Sequence, residues 1–233
     1  GKHRHRRLRD RDMKVAIVNF PGTNCERDSK YAFDALGCET QIIWHKETAI
    51  NADLIVLPGG FSYGDYLRTA AIAKFSPVMQ AVLDHARKGG YILGICNGFQ
   101  MLLELKLLAG AMSRNINLSF ISKFHHLRVV SNDNKFLCCC DKGEILNIPI
   151  AHGEGNYYAP ADTLKSLYDE DCVLLKYCDE NGADLNPNGS VDAIAGICDK
   201  NKKIFGLMPH PERAIEPILG GTDGEKMLKG LIC

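Results

Sequence analysis

No apolar run in this 233-residue sequence approaches the ~18 residues a membrane span needs, which excludes an integral helical membrane protein. Net charge is absent too, with 28 Lys/Arg against 28 Asp/Glu. Six of the basic residues and two of the acidic ones fall in residues 1–12, leaving 22 basic against 26 acidic residues, a formal −4, over 13–233. A mildly acidic body gives no electrostatic case for binding nucleic acid. The basic stretch reads as an expression tag, with Met13 as a natural start. After residue 12 there is no repeat, Pro-rich linker or low-complexity segment, so residues 13–233 are expected to form a single domain. Among the ten cysteines there is no Cys-x-x-Cys pair and no secretory signal before them, which points to reduced thiols in a cytoplasmic protein. Cys138, Cys139 and Cys140 are consecutive; on a strand they would alternate faces rather than converge on one metal, and no metal site is expected. A Gly-x-x-x-x-Gly-Lys-Ser/Thr loop is also missing, so no nucleotide cofactor is assigned to this chain.

What is present is an alternation of strand and helix patterns. Strands are predicted at Lys14–Asn19, Thr40–Trp44, Leu54–Leu57 and Tyr91–Ile95, and helices at Cys25–Leu36, Pro77–Lys88 and Gly98–Leu107. Thr23 or Asn24 is the expected N-cap of the first helix and Gly37 its stop; Pro77 opens the second. Strands separated by helices of this length imply βαβ crossovers and a parallel sheet. The second half is richer in strands, at Leu127–Val130, Lys135–Cys139, Ile145–Ile150, Val173–Tyr177, Ala193–Cys198 and Ile204–Met208, divided by Asn/Gly turns and followed by a helix over Gly224–Ile232. The fold class is therefore α/β, a mostly parallel central sheet flanked by helices, with additional antiparallel strands in the second half.

One stretch carries chemistry. In Gly94-Ile95-Cys96-Asn97-Gly98-Phe99-Gln100 a glycine stands two residues on either side of Cys96, between an apolar strand and an amphipathic helix. That is the spacing of a nucleophile elbow with cysteine in place of serine. Such a turn lifts the sulfur above the strand end and sets it at a helix N-terminus, where positive partial charge favours thiolate. The Asn97 N–H would face a developing oxyanion.

Met208-Pro209-His210-Pro211-Glu212-Arg213 supplies the complement. The prolines exclude a helix here and favour extended geometry at His210, in which Glu212 would project from the same side and hold one ring nitrogen. The other nitrogen would then serve Cys96, giving a nucleophile, a base and a group that orients the base. Gly59 and Gly60, after the strand Leu54–Leu57, could supply a further oxyanion donor, because ligands bind off the C-terminal ends of parallel strands. The bland alternatives are a buried structural cysteine, a rigid surface turn with an exposed histidine and a plain glycine turn. His125-His126 reads as a solvated or strand-edge pair.

Cys96, His210 and Glu212 in this order, with Gly-x-Cys-x-Gly-x-Gln, His-Pro-Glu and an upstream Gly-Gly loop, resemble the class I (triad) glutamine amidotransferases. The segments Asn19–Asp28, Gly60–Arg68, His152–Gly155, Asn186–Ser190 and Met208–Arg213 narrow the resemblance to the glutaminase subunits of phosphoribosylformylglycinamidine synthases. It runs from about Met13 to the C-terminus; Ala70 stands where the family pattern leads one to expect glycine. The resemblance implies that Cys96, His210 and Glu212 hydrolyse glutamine to glutamate and ammonia, and that Gln100 contacts the amino-acid end of the substrate. It also implies a flavodoxin-like sheet of the class I glutamine amidotransferase kind, a large synthetase subunit that uses ATP and magnesium, and a small third subunit. The rival readings are another enzyme with a cysteine elbow, a glutaminase of another pathway and a non-catalytic regulatory subunit.

Overall fold

The computed structural model describes residues 13–20, 26–59, 76–114, 121–152, 154–216 and 221–232. The sequence readings at residues 1–12, Thr23, Asn24 and Gly60–Arg68 lie wholly or mainly outside these. Among the described residues nine strands form one sheet. Its order is β2 (Glu39–Trp44), β1 (Lys14–Asn19), β3 (Leu54–Leu57), β4 (Tyr91–Ile95), β11 (Ile204–Leu207), β10 (Ile194–Cys198), β9 (Val173–Cys178), β6 (Ile121–Val129) and β7 (Ile145–His152). The pairs from β2 through β11 are parallel and those from β11 through β7 are antiparallel. The expected mixture is therefore present, split into two blocks that share β11. A second, two-stranded sheet joins β5 (Ala111–Arg114) to β8 (Glu154–Tyr158).

The central parallel strands read as continuous apolar runs because helices cover both faces. All four residues of β3 and all four of β11 are buried. The helices α1 (Glu26–Ala35), α2 (Pro77–Arg87) and α3 (Asn97–Glu104) connect this block. The first begins with Glu26 and Asp28 in its opening turn, where the helix dipole favours anions, and buries Ser29, Ala32 and Phe33. Gly37 (φ +86°) stops it: the N–H groups of Gly37 and Cys38 donate to Asp34 O and Phe33 O, the two bonds of a Schellman cap. Further on, α4 (Ala161–Asp169) and α5 (Asp223–Ile232) complete the helices. Among the described residues no helix is long and apolar enough to cross a membrane, and no group of three His, Cys, Asp or Glu side chains could hold a metal ion.

Two sequence expectations need correction. Lys135–Cys139 is a run of turns, not a strand. The Asn134 side chain accepts the Leu137 N–H at 2.9 Å and diverts the backbone from a ladder, so that consecutive Phe136 and Leu137 are both buried. The three cysteines therefore do not alternate along a strand; Cys138 and Cys139 are exposed and Cys140 is buried. Nor is His125-His126 a solvated edge pair. The strand β6 has neighbours on both sides, and His125 is buried with its ring edge-on to Tyr177, centroids 5.5 Å apart. The strands β5 and β8 and the helix α4 were not anticipated.

Candidate active site

The site begins where β4 becomes α3. The Cys96 N–H donates to Leu207 O at 2.8 Å, so the sheet holds the backbone up to the cysteine itself. Cys96 then adopts φ 54°, ψ −105°, and its carbonyl accepts the Gln100 N–H at 3.1 Å as the first acceptor of α3. A non-glycine residue at positive φ costs of the order of 1–3 kcal/mol and persists only when its surroundings enforce it. Here they do. A Cβ on Gly98 would lie 1.8 Å from Leu57 O, and one on Gly94 would lie 2.7 Å from the Gly98 carbonyl carbon. Only glycine lets β3, β4 and α3 approach this closely, as the sequence spacing predicts.

His210 follows β11, at the same edge of the sheet. Its N–H donates to Pro149 O of β7 at 2.9 Å, which ties it to the antiparallel block. At φ −112°, ψ 83° it is extended as expected, but Pro211–Arg213 form a single 3-10 turn with Pro211 at its first position. The expectation of a wholly non-helical segment is thus corrected: proline is compatible with a first helical position, where its missing N–H costs nothing. The turn, rather than an extended i, i+2 relation, brings Glu212 Oε1 to 2.5 Å from His210 Nδ1. Both side chains are only 1% exposed.

Gly59, just past β3, sits against both groups. A Cβ there would stand 2.8 Å from Cys96 Cβ and 3.0 Å from His210 Cε1. Cys96, His210, Glu212 and Gly59 are thus brought together, while Gly60 lies outside the described residues. His210 Nε2 is buried and has no hydrogen-bond partner among the described residues. Burial pulls the His210 pKa down, yet the Glu212 carboxylate and the adjacent Cys96 outweigh it and push it up to about 9. One ring nitrogen is thus held by Glu212, and the other makes no hydrogen bond among the described residues. Arg213 Nε, 3.5 Å from Asp28 Oδ2 and 4.0 Å from Glu212 Oε1, flanks the carboxylate.

Polar groups surround the thiol. Asn97 Oδ1 lies 3.8 Å from Cys96 Sγ, and the buried amide nitrogens of Asn97 and Gln100 have no partner among the described residues. Buried unpaired donors near a nucleophile are suited to a polar ligand. Sequence reasoning missed the wall behind them. Tyr177 on β9 is fully buried, and burial pushes its phenol up, with the nearby Cys96 adding to the effect. Asn188 Nδ2 donates to the Tyr177 hydroxyl at 3.4 Å, within a loop in which Asn186 Oδ1 accepts the N–H groups of Asn188 and Gly189. The Asn186–Ser190 segment is legible as a turn and as part of the family resemblance, but its contact with Tyr177 is not. A basic imidazole held by a carboxylate beside a thiol on a strained elbow can transfer a proton from sulfur and support acyl transfer through a thioester.

Comparison with known proteins agrees with this chemistry. The family model for the CobB/CobQ-like glutamine amidotransferase domain matches residues 12–223. Phosphoribosylformylglycinamidine synthase subunit PurQ of Campylobacter jejuni is 68% identical over 220 residues, covering 94% of this chain and 96% of that protein. The PurQ subunit of Sulfurimonas denitrificans is 62% identical over 222 residues, covering 94% and 99%. A chain of the PurLQS structure from Thermotoga maritima superimposes with a TM-score of 0.84 at 39% identity, over 95% of this chain and 98% of that one. A second glutamine amidotransferase from Thermotoga maritima, 17% identical with a TM-score of 0.57 over 95% and 90%, shares the fold. The chain belongs to the glutamine amidotransferase family, in its PurQ group. The family resemblance seen in the motifs is borne out.

Proposed function

We propose that this chain is the glutaminase subunit of a phosphoribosylformylglycinamidine synthase. It hydrolyses glutamine to glutamate and ammonia, and the ammonia passes to a synthetase subunit that converts formylglycinamide ribonucleotide to the amidine with ATP. The observation that carries this reading is the buried His210, fixed through Nδ1 by Glu212, with Cys96 beside it and no other partner for Nε2 among the described residues.

In this mechanism His210 Nε2 holds the proton taken from the Cys96 thiol, and the thiolate so paired attacks the side-chain amide carbon of glutamine. The Asn97 N–H, one of the first groups of α3 and so without an acceptor in its own helix, holds the oxyanion together with an N–H from the Gly59–Gly60 turn. His210 returns its proton to the departing nitrogen, ammonia leaves, and a glutamyl thioester remains. Water, deprotonated by His210, then releases glutamate and restores the thiol. Glu212 holds the ring and stabilises the imidazolium formed in each half-reaction. Gln100, whose buried amide nitrogen has no partner among the described residues, contacts the amino-acid end of glutamine.

The likeness to the PurLQS chain supports two partners, a large synthetase subunit and a small third subunit. ATP and magnesium belong to the former, and the chemistry of this chain calls for no cofactor of its own. The family match over 12–223 supports one amidotransferase domain across residues 13–233. Among the described residues every cysteine is a free thiol, which supports a cytoplasmic setting. The test is Cys96→Ala in the assembled complex. Glutamine-dependent synthesis should fall by ~10⁴-fold or more while ammonia-dependent synthesis persists; ordinary glutamine turnover by this variant overturns the assignment.

A further inference from the structure

Away from the active centre, two thiols face each other across the sheet. In the register of β9 and β10, Ile197 pairs with Val173, which sets Cys198 opposite Cys172. The Cys198 N–H donates to Cys172 O at 2.9 Å, whereas the Cys172 N–H turns away to Leu167 O. Directly opposed residues of an antiparallel pair have Cα atoms ~4.5–5.5 Å apart, inside the span a disulfide bridges, and their side chains leave the sheet on the same face. Both cysteines are free and buried, and both line a cleft of about 590 Å³. It also takes in Arg87, Lys106, Lys200 and Ile204. Ile204 begins β11 and Arg87 ends α2, so this cleft opens at the sheet edge opposite Cys96 and His210.

We propose that Cys172 and Cys198 are a redox-responsive dithiol, closed to an intramolecular disulfide by hydrogen peroxide entering this cleft. The two thiols are unequal. The neighbouring Cys198 thiol lowers the Cys172 pKa against burial, and Lys202 assists while Glu170 and Asp199 oppose. The neighbouring Cys172 and burial push the Cys198 thiol up. The Lys202 ammonium is clamped to the carbonyls of Glu170 and Asp171, at 2.7 and 2.5 Å, immediately before Cys172. Cys172 is therefore the attacking sulfur. Its thiolate displaces hydroxide from the peroxide, breaking the O–O bond and forming a sulfenic acid; the hydroxide leaves as water. Cys198, giving up its proton, attacks the sulfenic sulfur and expels a second hydroxide, also released as water. The two sulfurs lose two electrons together and one peroxide becomes two waters. A water-sized oxidant suits thiols this buried, whereas a bulky disulfide reagent does not.

The experiment uses the full chain carrying Cys96→Ala, which removes the competing nucleophile. After treatment with a modest excess of hydrogen peroxide and alkylation under unfolding conditions, peptide mapping should recover Cys172 linked to Cys198, two hydrogens lighter than the reduced pair and restored by dithiothreitol. The melting temperature should rise by ~5 °C on oxidation. Recovery of both cysteines as free thiols, under conditions that oxidise the exposed Cys138 and Cys139, overturns the proposal. Adding Cys198→Ser should leave a dimedone-reactive sulfenic acid at Cys172. Absence of that adduct, where the parent chain forms the disulfide, overturns the order of attack.

Discussion

In the parallel block, β3, β4 and β11 end on one edge, and the next few residues of each strand are Gly59, Cys96 and His210. In the antiparallel block, adjacent strands end on opposite edges, so no comparable convergence of strand ends is available. What that block contributes is enclosure and anchorage: Pro149 O accepts the His210 N–H, while Tyr177 and the Asn188 amide pack behind the thiol. Parallel strands gather reacting groups at their C-terminal ends. On the proposed mechanism the antiparallel extension keeps those groups dry and in place, and β11 belongs to both blocks.

Matched glycine substitutions separate the two blocks most forcefully. Gly98→Ala puts a methyl 1.8 Å from Leu57 O, a backbone atom fixed by the β3–β4 pairing. Gly196→Ala, on β10, meets Gly206 O and Leu207 Cβ at 3.2 Å, tight but open to small adjustments. We expect Gly98→Ala to lose ~4 kcal/mol or more, enough to prevent recovery of folded chain, and Gly196→Ala to lose ~1 kcal/mol. Urea denaturation checks both; equal losses would mean that the elbow is no more constrained than the antiparallel ladder.

Next in size is Glu212→Gln, which keeps the shape of the turn and removes the charge. Glutamine turnover should fall by ~10²-fold or more, with KM little changed, because the imidazolium loses its partner in both proton transfers. The pH dependence has a definite sign. The folded pKa of His210, about 9, lies above the 6.5 of a free histidine, so the pairing contributes fully below pH 6.5 and is lost as pH rises through about 9. The stability gap between wild type and Glu212→Gln should therefore be widest near pH 6, at ~2 kcal/mol, and close toward alkaline pH. A gap that widens above pH 9 would reverse the assigned roles.

The same division explains what could be read from sequence. The bounds of β1 and β3 are legible because each apolar run stops at asparagine or proline, and those of β4 because Gly89-Gly90 precede it and the Cys96 elbow follows, where steric contact demands glycine at two fixed offsets. His210 and Glu212 are legible as a pair, but their geometry is not, since a 3-10 turn and an extended segment both bring i and i+2 within reach. The antiparallel block is less legible. Lys135–Cys139 has strand-like composition, and one Asn134 side chain settles it as turns. The helix α4 buries only Leu167, so its apolar stripe is too thin to register. Tyr177 carries no motif; it joins the site through tertiary packing alone.

The smallest effect expected is at that tyrosine. Tyr177→Phe keeps the ring that His125 packs against edge-on and deletes only the hydroxyl that accepts from Asn188 Nδ2. A buried amide that loses its acceptor costs ~1 kcal/mol, and that is the stability change expected in denaturation. Among the described residues the phenol makes no hydrogen bond to His210 or to the Cys96 sulfur, so glutamine turnover should stay within ~10-fold of wild type. A rate loss as large as that of Glu212→Gln, with stability unchanged, would make the tyrosine a participant in proton transfer and place a reacting group in the antiparallel block. A small loss leaves that block as a wall, with the reacting groups all carried at the ends of parallel strands.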